Sequence, residues 1–149
     1  MRPVPTPGPT RSGSSGAIIL AESLTYADTS ALVKLIVDEP ESRALRDALG
    51  STGNLIAADT AEVELARAAA RVGGEAPGRI EHVLAGLTLV PADAAIRAVA
   101  ARLRPASLGT LDAIHLATAL AVDAEAILVY DRCLADAAAA HVLTVLAPS

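Results

Sequence analysis

The stretch LTYADTSALVKLIV, residues 24–37, joins a short apolar and β-branched run to a helical pattern. Residues 24–27 predict a buried strand, and residues 29–37 predict a helix. Asp28 stands at the junction between the two. A strand followed directly by a helix is the first half of a βαβ unit, the unit from which parallel sheets are built.

The same alternation continues to the end of the chain. Further strands are predicted over residues 54–58, 87–90, 126–130 and 142–146, and further helices over residues 40–49, 60–72, 79–86, 94–103, 111–122 and 134–140. Alternating strands and helices predict an α/β domain with three layers, α/β/α, around a five-stranded, mainly parallel central sheet. Residues 1–22, rich in Pro, Gly and Ser, predict a flexible tail, so we place the domain at residues 23–149.

Several helix ends carry specific signals. Asp59 followed by Glu62 predicts a capping box, and Asp93 and Thr110 are predicted N-caps. Gly50 is predicted to end its helix in the left-handed conformation, and a Gly pair at residues 73–74 is predicted to end another.

Composition restricts the possible functions. With a net charge of −5, the chain is not a generally basic nucleic-acid coat, so any nucleic acid must be bound locally. The candidate phosphate contacts are three arginine pairs, which could equally be solvated helix faces: Arg43 and Arg46, Arg67 and Arg71, Arg102 and Arg104. One cysteine and an N-terminal apolar run far below the ~20 residues of a membrane span predict a cytoplasmic protein without membrane association.

Four acidic residues are the candidates for chemistry. Asp28 and Asp131 each follow a predicted strand directly, and the carboxyl ends of parallel strands form the ligand-binding edge of such sheets. Asp112 lies in the first turn of a helix, and Glu64 lies one turn inside another. Each has an ordinary alternative role, because an Asp at these positions also caps a helix or favours its macrodipole, and Glu64 could pair with Arg67.

If the four carboxylates converge, they need a counter-charge. Two carboxylates ~4 Å apart repel by ~4 kcal/mol at an effective dielectric of about 20. Mg²⁺ is the natural partner for such an oxygen-only set, with Mn²⁺ as a plausible substitute. His115 shares a helix face with Asp112, but we expect it to be a structural histidine rather than a general acid.

Four segments carry a family resemblance. They are residues 26–32 (YADTSAL), 64–68 (ELARA), 111–117 (LDAIHLA) and 129–134 (VYDRCL). In this order they resemble the PIN domain of VapC-type ribonuclease toxins, and the resemblance spans residue 24 to the C-terminus. It implies a PIN-like fold and a metal-dependent endoribonuclease in which Asp28, Glu64, Asp112 and Asp131 are catalytic and Asp28 and Asp112 hold the metal.

The resemblance also implies partners and leaves choices open. It implies an RNA substrate, a VapB-type antitoxin that neutralises the toxin, and a homodimer. Glu64 is preferred over Glu62 because its following residues fit the family pattern, whereas Glu62 already has a predicted capping role. The number of metal ions and the RNA target stay open, and the alternative function is a PIN-like module that binds RNA or protein without cutting.

Overall fold

A computed structural model describes residues 24–52 and 54–149, so the predicted tail lies outside the described residues. The sheet has the five strands expected from the sequence: β1 (Thr25–Ala27), β2 (Leu55–Ala58), β3 (Leu87–Val90), β4 (Ala126–Leu128) and β5 (Thr144–Leu146). All four strand pairings are parallel, and the strand order is β3-β2-β1-β4-β5. The predicted α/β class and parallel sheet are therefore confirmed.

Within residues 24–52 and 54–149, seven helices connect and flank the strands. They are α1 (Thr29–Ile36), α2 (Ser42–Leu49), α3 (Thr60–Val72), α4 (Ala76–Ala85), α5 (Ala94–Ala100), α6 (Thr110–Ala121) and α7 (Arg132–Ala140). Gly73 and Gly74 end α3 with positive φ angles of 72° and 60°, which glycine adopts without steric cost.

The hydrophobic core lies on both faces of the sheet. On one face, α6 and α7 contribute Leu116 and Leu134, which pack with Ile127 of β4. On the other face, α1 and α3 contribute Leu32 and Leu65, which pack with short β-strand side chains. Helices on both faces give the predicted three-layer arrangement, because each apolar sheet face must be covered.

Three of the predicted helix ends are wrong. The Asp59 side chain does not cap α3, because its Oδ1 accepts a hydrogen bond from Ala92 N (3.1 Å) across the sheet edge, and the predicted capping box with Glu62 does not form. Thr110 is already helical, and Gly109 is the N-cap residue of α6. Gly50 ends α2 with φ −59°, a right-handed conformation that needs no glycine.

The lengths of several elements also differ from the prediction. The fourth strand ends at Leu128 rather than at residue 130, and the helix predicted over 94–103 ends at Ala100. Within the part of the chain that the structure describes, no helix is both long and apolar enough to cross a membrane.

Candidate active site

The site edge is built where β1 and β4 lie side by side. The chain leaves β1 toward β2 on one side, while β4 and β5 lie on the other, so the strand order reverses between these two neighbours. Such a switch point leaves a crevice at the carboxyl ends of the strands, where parallel α/β proteins bind ligands. Asp28 follows β1 directly, and Asp131 follows β4 after two residues.

Asp28 is fixed by its own helix and by β4. Its backbone N donates to Leu128 O (2.9 Å), and its Oδ2 accepts from both Ser30 N (3.0 Å) and Ser30 Oγ (2.6 Å). Ser30 Oγ in turn accepts from Tyr130 N (2.9 Å), which ties the ends of the two strands together. The residue is only 3% exposed, so its orientation is fixed, and Oδ1 faces the site interior 3.7 Å from His115 Nε2.

Asp112 lies in the first turn of α6, half-buried at the same edge. Burial raises the pKa of Asp112, and the negative charges of Asp28 and Asp131 raise it further. Asp28 and Asp131 are therefore each close enough to Asp112 to disfavour its ionised form. Asp131 is exposed, and it caps α7 through a hydrogen bond that its Oδ1 accepts from Leu134 N (2.9 Å).

Glu64, on α3, reaches the site through a buried histidine. Its Oε1 lies 2.7 Å from Nε2 of His115, whose side chain on α6 is 1% exposed. Burial alone would raise the pKa of Glu64, but the hydrogen bond and charge of His115 outweigh it and lower that pKa. Burial likewise opposes the charge of His115, yet the bond to Glu64 and the charge of Asp28 raise its pKa. The two groups thus hold each other ionised.

A tyrosine fixes the ring of His115 from the other side. Tyr26 OH accepts from Ala58 N (2.9 Å) and lies 2.5 Å from His115 Nδ1. Burial raises the pKa of Tyr26 far above its usual value, so the phenol keeps its own proton, and its oxygen accepts a hydrogen bond from Nδ1 of the charged ring. The second proton of the charged ring lies on Nε2, which donates it to Glu64.

A family profile described as PIN domain matches residues 25–140, most of the chain and all four acidic segments. The chain belongs to the PIN-domain family. Ribonuclease VapC46 of Mycobacterium tuberculosis strain H37Rv is 42% identical to it over 126 residues, covering 83% of this chain and 97% of that protein. Ribonuclease VapC35 of the same species is 44% identical over 131 residues, covering 84% and 97%. The family prediction, a PIN-domain ribonuclease of the VapC type, is thereby confirmed.

Solved structures agree with this PIN-domain fold. A complex of VapBC2 from Rickettsia felis with a DNA fragment from its promoter superposes with a TM-score of 0.66 at 13% identity, over 83% of this chain and 97% of that one. VapC20 of M. tuberculosis, described as a Sarcin-Ricin loop cleaving toxin, gives 0.65 at 14% identity, over 76% and 94%. At these identities the likeness establishes the fold alone.

The PIN-domain structure brings the four predicted acids to one sheet edge, but not into a closed cage. Asp28, Asp131 and Glu64 all act electrostatically on Asp112. Among residues 24–52 and 54–149, no group of three or more His, Cys, Asp or Glu side chains has the geometry to hold a metal ion as they stand. Three of the four carboxylates each use one oxygen to accept a hydrogen bond from the protein: Asp28 Oδ2, Asp131 Oδ1 and Glu64 Oε1. These hydrogen bonds account for the open arrangement.

The sequence identified the acidic residues but not what holds Glu64. Glu62, its rival, is exposed, while Glu64 is half-buried against His115. The sequence did indicate that His115 lies near the site, because it follows Asp112 by three residues and so shares its helix face. Its partner on α3 is 51 residues away in the chain, a separation that local pattern reasoning does not bridge.

Proposed function

We propose that this PIN-domain protein is a divalent-metal-dependent endoribonuclease toxin, with Asp28, Glu64, Asp112 and Asp131 as its catalytic set. The observation that carries the proposal is the state of Asp112. Its pKa is raised by burial and by the charges of Asp28 and Asp131. The edge of the sheet on which it lies is at the switch point of the strand order, where ligands can enter. Carboxylates that repel one another in a crevice favour binding of a cation there.

The donor set suits Mg²⁺, and Mn²⁺ as its substitute. All candidate ligand atoms are carboxylate oxygens, the donors that hard divalent cations prefer. Asp28 Oδ1 and the carboxylate of Asp112 would hold the ion, since Asp28 Oδ2 is already bonded to Ser30. When bound, such a cation lowers the pKa of a water molecule and neutralises charge on the scissile phosphate.

The remaining acids take different tasks. Glu64 is held ionised by His115, so it supplies a fixed negative charge facing the crevice. Asp131 uses one oxygen to cap α7, and its exposed carboxylate can accept the proton of the attacking water. Hydrolysis then forms a bond from the water oxygen to phosphorus and breaks the bond from phosphorus to one ribose oxygen, and that leaving oxygen takes up a proton from solvent water.

Partners and location follow the same assignment. The solved structures similar to this chain include a VapBC complex from Rickettsia felis and a toxin–antitoxin complex from Klebsiella pneumoniae. By analogy, we assign this chain a VapB-type antitoxin, a homodimeric state and a cytoplasmic location, in addition to cellular RNA as substrate.

The test is cleavage of a structured RNA by the purified full chain. We expect discrete fragments in Mg²⁺, none in EDTA, and recovery when Mg²⁺ or Mn²⁺ is added back. Cleavage that continues in EDTA contradicts metal dependence. A gel shift without fragments, in the presence of Mg²⁺, supports the alternative of a PIN-like binding module instead.

A further inference from the structure

A groove of about 640 Å³ lies between α5, the loop that follows it, and the first turns of α6. Three arginines line it, one on α5 and two in the loop: Arg97, Arg102 and Arg104. All three are exposed, so their guanidinium groups are open to solvent and to a ligand. None of Asp28, Glu64, Asp112 and Asp131, which together form the carboxylate edge, lines this groove, and the roles proposed above do not use it.

The positive charge of this arginine groove is not compensated by the described part of the protein. Among the described residues, no carboxylate lies within ion-pair distance of these three arginines, whereas Arg46 and Arg79 both pair with Asp38. Arg97 Nη1 donates to Ala92 O (2.6 Å), a neutral acceptor that orients the group without cancelling its charge. Three such guanidiniums in one groove are unusual in a chain with a net charge of −5.

The arginine groove adjoins the proposed active site. Its α6 wall is formed by Thr110, Ala113 and Ile114, and Asp112 lies in the same first turns of α6 but on another face of that helix. RNA that crosses the N-terminal end of α6 can therefore reach both Asp112 and the groove. Because the net charge of the protein repels RNA as a whole, local positive charge is needed next to the carboxylates.

We infer that the arginine groove binds backbone phosphates of the RNA next to the scissile phosphate. The inference rests on the proposed function, and it assigns the groove to backbone contact rather than to base reading. Guanidinium groups match phosphate oxygens with two parallel hydrogen bonds, and no aromatic side chain lines the groove to stack on a base. The sequence offered three arginine pairs as candidate phosphate contacts, and the groove is lined by one of them, Arg102 and Arg104.

The test measures binding without cleavage. A short fluorescently labelled single-stranded RNA is titrated with the full chain in EDTA, and Kd is followed by anisotropy at several salt concentrations. The double variant Arg102→Ala, Arg104→Ala should bind about tenfold more weakly or worse. The slope of log Kd against log salt should fall by about 0.7 for each RNA phosphate that the variant no longer neutralises.

Two further variants sharpen the test. Arg43→Ala removes an exposed arginine of α2 that does not line the groove, and it should leave Kd and the salt slope unchanged. The double variant Arg102→Lys, Arg104→Lys should recover most of the salt slope but only part of the affinity, since lysine keeps the charge and lacks the two parallel N–H donors of arginine.

Three results would overturn the inference. One is an unchanged Kd and salt slope in the double alanine variant, and another is an equal weakening of binding in Arg43→Ala. The third is a changed sedimentation mass with normal RNA binding, which would make the groove a protein interface. Wild-type protein that binds RNA through the groove but never cleaves it would refute the proposed nuclease instead, so the two failures are distinguishable.

Discussion

Two acidic regions of this protein differ in how their charge is compensated. In the segment between α1 and α2, every carboxylate meets a lysine or arginine. Lys34 Nζ lies 2.5 Å from Glu39 Oε2 and 3.0 Å from Glu41 Oε2, and Asp38 Oδ1 lies 3.0 Å from Arg46 Nη2 and 3.3 Å from Arg79 Nη1. The pKa of Asp38 is accordingly lowered by its hydrogen bonds to the two arginines.

The carboxylate edge shows the opposite pattern. Among the described residues, no lysine or arginine forms an ion pair with Asp28, Asp112 or Asp131. The cation present is His115, which is committed to Glu64, and the pKa of Asp112 is raised rather than lowered. Matched carboxylates stabilise a surface, whereas unmatched ones in a crevice leave a place for a cation from outside.

The largest expected difference between the two regions is in RNA cleavage. Asp28→Asn or Asp112→Asn should lower kcat/KM by about 10³-fold or more, because a metal ligand contributes several kcal/mol of charge stabilisation. Both changes keep the shape of the side chain, and Asn at position 28 can still cap α1. The matched control is Asp38→Asn, which should cleave normally. Equal activity in all three variants would contradict a catalytic role of the carboxylate edge.

The next effect concerns the buried pair at the carboxylate edge. His115→Ala should lower the free energy of unfolding by about 3–5 kcal/mol, because it leaves Glu64 partly buried without its partner and removes the ring nitrogen that donates to Tyr26. The control, His82→Ala, changes an exposed histidine and should shift stability by less than about 0.5 kcal/mol. Chemical denaturation followed by circular dichroism, in EDTA, measures both.

The same pair sets a pH window for stability. The folded pKa of His115 is raised from 6.5, so its stabilisation is complete below pH 6.5 and is lost as pH rises through the folded pKa. The folded pKa of Glu64 is lowered from 4.5, so its stabilisation is complete above pH 4.5 and is lost as pH falls through the folded pKa. The gap between wild type and His115→Ala should therefore be widest between pH 4.5 and 6.5. A flat gap across pH would contradict the ion pair.

Metal binding should produce a smaller effect on stability. A cation present at roughly 100 times its Kd adds about 2.7 kcal/mol to the folded state. We expect Mg²⁺ or Mn²⁺ to raise the Tm of wild type and of Asp38→Asn, but not of Asp112→Asn. A rise of the same size in all three proteins would place cation binding away from the carboxylate edge.

The smallest expected effect is a gain in stability, whereas most substitutions lower stability. Without metal, Asp112→Asn should stabilise the protein slightly at pH 7, by less than about 1 kcal/mol because solvent screens a half-buried group. The raised pKa of Asp112 means that its ionised form is disfavoured in the folded state, so the gain should vanish below pH 3.8, where the carboxyl is protonated in both states. Destabilisation at pH 7 would show that the carboxylate is matched after all.

Sequence reasoning succeeded where a signal is local. The strand before Asp28 and the helix after it were predicted within one or two residues, because apolar runs and turn residues carry that information. It failed at Asp59. The residue types there match a helix-capping pattern, but the side chain accepts a hydrogen bond from the backbone N of Ala92, 33 residues away. A helix cap contributes only about 1 kcal/mol, so a hydrogen bond to a residue that the fold brings close can replace it.

By itself, the sequence determined the alternation of strands and helices and singled out four carboxylates as candidates, because both depend on residue type and short spacing. Only the tertiary structure decided which carboxylates are matched and which are not. The pairing of Glu64 with His115 and the link of that ring to Tyr26, 89 residues away, both join distant segments. Charge compensation depends on distance in space, and that distance is set by how the layers pack.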